Sequence, residues 1–123
     1  MNKTIIRDNF IKLGEYCKNE DIEYVQAVDT LFVLPCAFKD CKNLKEITFG
    51  LDITRISNAA FENCTSLKDV RFAITDEDKI IEIAEDAFNG CQDVTFHIFA
   101  SAIKNKYLNN YAKKHDFKVV SMI

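Results

Sequence analysis

The chain has 123 residues, 48% of them hydrophobic and 28% charged, with a formal net charge of −3. Those proportions suit one globular domain and require neither a disordered segment nor a second domain. So weak a charge gives no field to concentrate polyanions, which argues against nucleic acid as a partner, and no apolar run is long enough to span a bilayer.

Residues 1–10 contain Lys3, Arg7 and Asp8 and lack the apolar core of a secretory leader, so the chain as it stands reads as cytoplasmic. Ile6, Phe10, Leu13 and Cys17 then fall at helical spacing, with Asn2 or Thr4 as candidate caps, which predicts an N-terminal helix. Ile22-Glu23-Tyr24-Val25 follows as a strand. Residues 1–30 together are expected to form a cap or a degenerate first repeat.

Next, three stretches repeat one another: Ala37-Phe38-Lys39-Asp40-Cys41 running on to Ile47-Thr48-Phe49, Ala60-Phe61-Glu62-Asn63-Cys64 running on to Val70-Arg71-Phe72, and Ala87-Phe88-Asn89-Gly90-Cys91 running on to Phe96. Phe38, Phe61 and Phe88 recur at intervals of 23 and 27 residues, inside the range of stacked repeat units. In each unit the closing run alternates, so Ile47 and Phe49, Val70 and Phe72, and Phe96 and Ile98 turn inward. Asp21 and Glu23, Glu46 and Thr48, Asp69 and Arg71, Thr95 and His97, with Phe99 beyond, then form an outward strip. Ile53 and Ile56 add two inward residues before Ser57-Asn58-Ala59-Ala60-Phe61, which reads as a cap and a short helical turn. The third unit repeats this with Ile80, Ile83, Ala87 and Phe88, its extra residues Thr75-Asp76-Glu77-Asp78 lying in the loop before it.

Ser101 is read as the cap of a helix from Ala102 to His115, with Ile103, Tyr107 and Tyr111 on one face, and Phe117-Lys118-Val119-Val120 as a last strand. The expected fold is one α/β domain over residues 1–123: a repeat solenoid with a short parallel sheet, helical turns between strands and a helix near each terminus. The repeats occupy residues 31–100 and a C-terminal cap occupies 101–123. A unit that cannot bury its own Ile, Leu and Phe must do so against its neighbours.

The pattern Ala-Phe-x-x-Cys-x-x-Leu-x-x-Ile-x-Phe, preceded by Ile-x-x-Ile, resembles the BspA-like (Treponema pallidum type) leucine-rich repeats, and Tyr111-Ala112-Lys113-Lys114 echoes the run that often ends such arrays. The resemblance covers about residues 31–120. It implies a leucine-rich-repeat fold in a family that is mostly bacterial, with members in parasitic protists, many of them cell-surface or secreted proteins that adhere to host proteins. It implies no particular binding residues, because its motif consists of core positions.

The cysteines are five, an odd number, with no Cys-x-x-Cys. Cys41, Cys64 and Cys91 share one slot of the repeat and read as a buried ladder whose rungs lie about 5 Å apart, a spacing that fits free thiols or one oxidised pair. Cys17 and Cys36 fall outside it. A zinc site is disfavoured because no two Cys or His ligands have close paired spacing. Asp76-Glu77-Asp78 with Glu82, Glu85 and Asp86 is the densest acidic run, but it lacks the ordered spacing of a calcium loop. His97 and His115 are the sole imidazoles, and the three glycines build no phosphate loop.

No cofactor, metal or catalytic residue is therefore assigned, and an enzyme is not expected. The reading is a non-catalytic protein-interaction module, with Glu23, Glu46, Thr48, Asp69, Arg71, Thr95 and His97 as candidate partner-binding residues. Adhesion follows from the resemblance. An intracellular structural or regulatory scaffold, which could pair with itself, is the alternative. Four or five strands give a strip of only about 250 to 300 Å², against about 800 Å² for each side of a standard interface.

Overall fold

Alternation along short strands decides the architecture. The computed structural model describes residues 2–123, and within them the apolar-polar runs become strands that bury their inward apolar residues, while Ile5, Phe10 and Val120 stay exposed. In chain order these are β1 (Lys3–Ile6), β2 (Phe10–Ile11), β3 (Tyr24–Ala27), β4 (Phe32–Val33), β5 (Glu46–Phe49), β6 (Arg55–Ile56), β7 (Asp69–Phe72), β8 (Glu82–Ile83) and β9 (Thr95–Ile98). A 3-10 turn over Ala100–Ala102, the helix α1 (Lys106–Lys114) and β10 (Lys118–Ser121) complete the chain. The four-residue strands form a parallel sheet in the order β1-β3-β5-β7-β9-β10, and the two-residue strands form a second in the order β2-β4-β6-β8. This is a leucine-rich-repeat type of α/β fold, with successive units paired strand to strand.

The register keeps equivalent residues of successive units side by side. Val25, Ile47, Val70 and Phe96 line one buried row, and Ala27, Phe49, Phe72 and Ile98 the next. Between the two sheets Tyr16, Phe38, Phe61 and Phe88 stack face to face, with centroids 5.2, 5.0 and 5.0 Å apart and planes within 7°. That spacing is the inter-strand distance, so the pairing of strands imposes the pitch of the rings. Each buried aromatic contributes about 1.5–3 kcal/mol from desolvation, and each ring pair adds about 0.5–1.5 kcal/mol. Ile22, Leu44, Leu67 and Val94 fill a parallel row beneath them.

The segments between strands are successive tight turns rather than the helical turns expected. Phe38 and Phe61 donate their N–H to the carbonyls of Ala60 and Ala87 in the next unit, both at 2.7 Å, and those amides are therefore unavailable to a helix. The turns require left-handed backbone at two recurring slots: Lys18, Asp40, Asn63 and Gly90 in one, Gly14, Cys36 and Ala59 in the other. Gly50 answers a different need. A Cβ there would lie 2.2 Å from the carbonyl oxygen of Val28, so only glycine lets the two units approach at that corner.

The first thirty residues correct the expectation of an N-terminal helix. Ile6 lies inward on β1, Phe10 outward on β2, and Asn2 and Thr4 cap nothing: Asn2 donates to Glu23 and to the Asp21 carbonyl, and Thr4 pairs with Val25. Helical spacing here is incidental. The run Thr4-Ile5-Ile6 is β-branched, and a ready strand edge at β3 satisfies its backbone better than a short isolated helix could. Tyr16, Asn19, Ile22, Val25 and Ala27 occupy the slots of Phe38, Cys41, Leu44, Ile47 and Phe49, so this segment is a full unit with substituted residues.

Three smaller corrections concern the C-terminal part. Asn105, not Ser101, caps α1, accepting from the Leu108 N–H at 3.1 Å, and the helix begins four residues later than expected. Its buried residues are Leu108, Tyr111 and Ala112, with Ile103 and Tyr107 only partly covered. Ile81 rather than Ile80 enters the core, because the inserted loop at 75–78 alters how the chain enters β8. Lys113 and Lys114 end the helix where its dipole favours cations.

Truncating Phe61→Ala should cost about 3–5 kcal/mol in chemical denaturation, since it removes the middle ring of the ladder. By contrast Ala59→Gly, at φ 54°, should raise stability. Relief of the left-handed penalty, less the added chain entropy, leaves about 0.5–1 kcal/mol measurable in the same experiment.

Candidate functional site: the outward face of the six-stranded sheet

Because side chains alternate across a strand, the residues between the buried rows form two outward rows. One runs Lys3, Tyr24, Glu46, Asp69, Thr95, Lys118, and the other Ile5, Gln26, Thr48, Arg71, His97, Val120. Glu46, Thr48, Asp69, Arg71, Thr95 and His97 thus come together on one face, in register and half-buried against one another. Glu23 does not join them. It precedes β3 by one residue and accepts from Lys45 Nζ at 3.2 Å at the margin, while Tyr24 and Gln26 take the strip positions. Asp21 also lies before the strand, and Phe99 lies one residue past β9, flanking the 3-10 turn.

Register places Glu46 directly opposite Asp69, two carboxylates whose repulsion the neighbours offset. Arg71 reaches diagonally to Glu46, and His97 Nε2 lies 2.8 Å from Asp69 Oδ1. Lys45 holds the Glu23 carboxyl below its ordinary value by hydrogen bonding, with a further contribution from the Asn2 N–H. The acids of the strip are thus matched by bases, and the strip is more nearly neutral than its acidic residues alone suggest.

A groove of about 470 Å³ runs along one margin, lined by Tyr24, Lys45, Glu46, Thr65, Ser66, Lys68 and Asp69. Thr65 and Ser66 come from the turn before β7, so the turn side of the units extends the strip. Six strands of about 13 Å spaced about 4.8 Å apart give the sheet face about 380 Å², larger than four or five strands could. Sequence reasoning missed Lys3 and Ile5 because β1 was read as helix, Tyr24 and Gln26 because the strip there was set at Asp21 and Glu23, and Lys118 and Val120 because the last strand, though expected, was assigned to the cap and not to the strip. For the first and last pairs, alternation shared with β3 and β9 was the available signal.

Other candidate clusters are dispersed. Glu82 pairs with Arg55 at 3.0 Å, Glu85 with Lys114 at 2.9 Å, and Asp86 accepts from the Asn58 side chain and the Ala59 N–H, so the acidic run does not converge. Among the described residues no group of three or more His, Cys, Asp and Glu could hold a metal ion. His115 stacks on Tyr111 at 4.1 Å with Glu85 3.6 Å away.

All five cysteines are free thiols. Cys41, Cys64 and Cys91 each donate to a carbonyl one unit back, at Tyr16, Phe38 and Phe61, over 2.9, 3.0 and 3.1 Å. The slot therefore wants a small group that is apolar and still a weak donor, which is what a thiol is. The Cys41 sulfur and then burial push the Cys64 thiol up, and burial pushes the Cys91 thiol to about 12.

A comparison with protein families matches the chain to the BspA type leucine rich repeat region, in six copies over residues 11–121. The protein belongs to this family. The match begins well before residue 31 and takes in most of the segment read as a cap or a degenerate first repeat. Leucine-rich repeats of this family are in general interaction modules rather than catalysts. No curated protein matches the chain significantly, and no solved structure does. No helix of the described residues is long and apolar enough to cross a membrane.

The thiol geometry predicts that at pH 8 a thiol reagent modifies Cys17 and Cys36 in the native protein and reaches Cys41 and Cys64 only on unfolding. The pH dependence follows from the direction of the shift. Below pH 9 the Cys91 thiol is protonated in both states, whereas above it the unfolded chain ionises first, so stability falls as pH rises from about 9 toward 12. Denaturation midpoints across that window check it, with Cys91→Ala flattening the decline.

Proposed function

We propose that this protein is a non-catalytic interaction module that binds a protein partner through the outward face of the six-stranded sheet and the adjoining groove. The observation that carries the reading is the contrast between the two faces of one sheet: buried rows of Val, Ile and Phe behind, and in front a register of charged, amide, hydroxyl and imidazole groups held half-buried by diagonal pairing. Such a face is rigid because the strands hold it, and its polar groups are pre-oriented, which lowers the entropy lost on binding. Adhesion to a host or matrix protein from the cell surface is the use that the family resemblance favours.

One feature supports a second reading, an intracellular scaffold. The ladder thiols donate to backbone carbonyls, a role that a disulfide would abolish, and free thiols persist best in a reducing compartment.

Immobilised protein exposed in parallel to matrix extract and to cytosol of the source cell separates the two. Under the adhesion reading a matrix protein is retained by the wild type and lost, at least tenfold, by Glu46→Lys/Asp69→Lys. A cytosolic partner with the same sensitivity selects the scaffold. Retention indifferent to the double substitution refutes the strip as the binding face, provided stability is unchanged to within about 0.5 kcal/mol, as is usual for surface substitutions.

A further inference from the structure

The geometry points to a second binding site, at the free edge of β8, where an extended segment of a partner protein pairs in parallel as a fifth short strand. The site belongs to the four-stranded sheet, away from the outward strip, and the inference does not rest on the strip.

Each of the long strands β1, β3, β5 and β7 is followed by a short one, and the short ones pair in the order β2-β4-β6-β8. After β9 the pattern breaks. The chain makes the 3-10 turn and α1 in place of a short strand, then returns as β10 to the six-stranded sheet. The open edge of β8 therefore lies inside the array, made by a unit that departs from the repeat.

Backbone bonds show what this edge lacks. The carbonyls of Asn9 and Ile11 accept from the N–H groups of Phe32 and Leu34, those of Leu31 and Val33 from Arg55 and Ser57, and those of Thr54 and Ile56 from Glu82 and Ala84, all over 2.8–3.2 Å. The next members of the series are the carbonyls of Ile81 and Ile83, and among the described residues no N–H donates to either. Glu82 turns its N–H to β6, so that of Ile83, one residue on, points to the free edge between the two carbonyls. Ile81 is only 2% exposed, which makes a carbonyl without a donor there the more costly.

The helix serves the acceptors on either side and stops short of these. Asn105 Nδ2 donates to the Lys79 carbonyl at 2.8 Å, and the Tyr111 hydroxyl lies 3.1 Å from those of Ala84 and Glu85. Over the two unserved carbonyls is a groove of about 370 Å³, lined by Ile83 of β8 and by Tyr107, Asn110 and Tyr111 of α1.

The occupant follows from these groups. An acceptor, a donor and an acceptor along one edge match the N–H, C=O and N–H of an extended polypeptide, as in strand addition to a sheet. Ile11, Val33 and Ile56 are wholly buried, each beside the short strand that follows it, whereas Ile83 in the same row is only partly covered, so the inward residue of the segment is Ile or Val. The Glu82 side chain is 60% exposed and meets Arg55 of β6 at 3.0 Å, and a second cation opposite it on the free side gives a further opposite-charge pair. The segment is thus a Lys or Arg followed by a β-branched aliphatic residue, the order already found at Arg55-Ile56.

Residues 53–58 supply the probe: a synthetic peptide of that sequence, acetylated and amidated, titrated into the isotope-labelled whole chain and followed by amide NMR. In the free chain the Ile83 amide should exchange with solvent faster than those of Glu82 and Ala84. The peptide should shift the amides of Ile83 and α1 with a dissociation constant of about 0.1–1 mM, as suits a few backbone bonds and one apolar side chain, and should slow the Ile83 exchange. The same peptide N-methylated at its arginine and serine has lost both donors and should bind at least tenfold more weakly, and Glu82→Lys should weaken the unmodified peptide at least threefold. An Ile83 amide already protected in the free chain overturns the inference, as do an absence of shifts at millimolar peptide, equal binding by the N-methylated peptide, or shifts confined to the strip at Glu46, Thr48, Asp69 and Arg71. Affinity indifferent to Glu82→Lys overturns the basic residue of the segment.

Discussion

Everything in this molecule depends on the equality between two distances: the separation of neighbouring parallel strands and the stacking distance of the rings behind them. Strands pair at about 4.8 Å, and the rings of Tyr16, Phe38, Phe61 and Phe88 lie 5.0–5.2 Å apart with nearly parallel planes. Backbone and core therefore prefer the same pitch. A residue type that suits one unit suits the next at the same position, so the amphipathic pattern propagates from unit to unit with little adjustment. Where the ladder ends, Phe88 meets Tyr111 and Phe117 edge-on instead, and these rings from and beside α1 close the core without offering a further rung.

The same constraint shapes the surface. Register that aligns Val with Val on the inside also aligns Glu46 with Asp69 on the outside, and a like-charge pair follows from the very repetition that stabilises the core. Departures from the repeat relieve it: Arg71 and His97, each one row across and one strand along, supply the opposite charge or a hydrogen bond. The outward face is thus where units differ, while the inward face is where they agree. Fixed polar groups on a rigid sheet suit recognition by a protein surface, and the limited area of the face makes the adjoining groove a natural extension of it.

Legibility from sequence followed residue type closely. The units that keep Phe, Cys, Leu and Ile were read with the inward and outward residues of their four-residue strands assigned correctly, because three near-identical stretches reinforce one another. The first unit keeps the spacing but substitutes Tyr16, Asn19, Ile22, Val25 and Ala27, and with the familiar residues gone a chance helical spacing of Ile6, Phe10 and Leu13 looked stronger. Thr30 shows how such a substitution is accommodated: it fills the slot of Ile53, wholly buried, and donates its hydroxyl to the Asp8 carbonyl at 3.1 Å. Three of the left-handed residues could not be read, since Lys18, Cys36 and Ala59 carry no sign of positive φ and adopt it only because the interunit bonds on either side demand it.

By itself, then, the sequence determined the repeat, its period, the identity of the core rows and the central half of the outward face, since all of these are local alternation repeated at a fixed interval. Tertiary structure decided the rest. Whether the first thirty residues form helix or strand depends on the edge that β3 offers, which lies some twenty residues away along the chain. Which acids on the face are matched depends on diagonal neighbours one strand over, and where α1 begins depends on Asn105 finding both the Leu108 amide and the Lys79 carbonyl. Each of these outcomes is set by groups distant in sequence that meet only once the units have stacked.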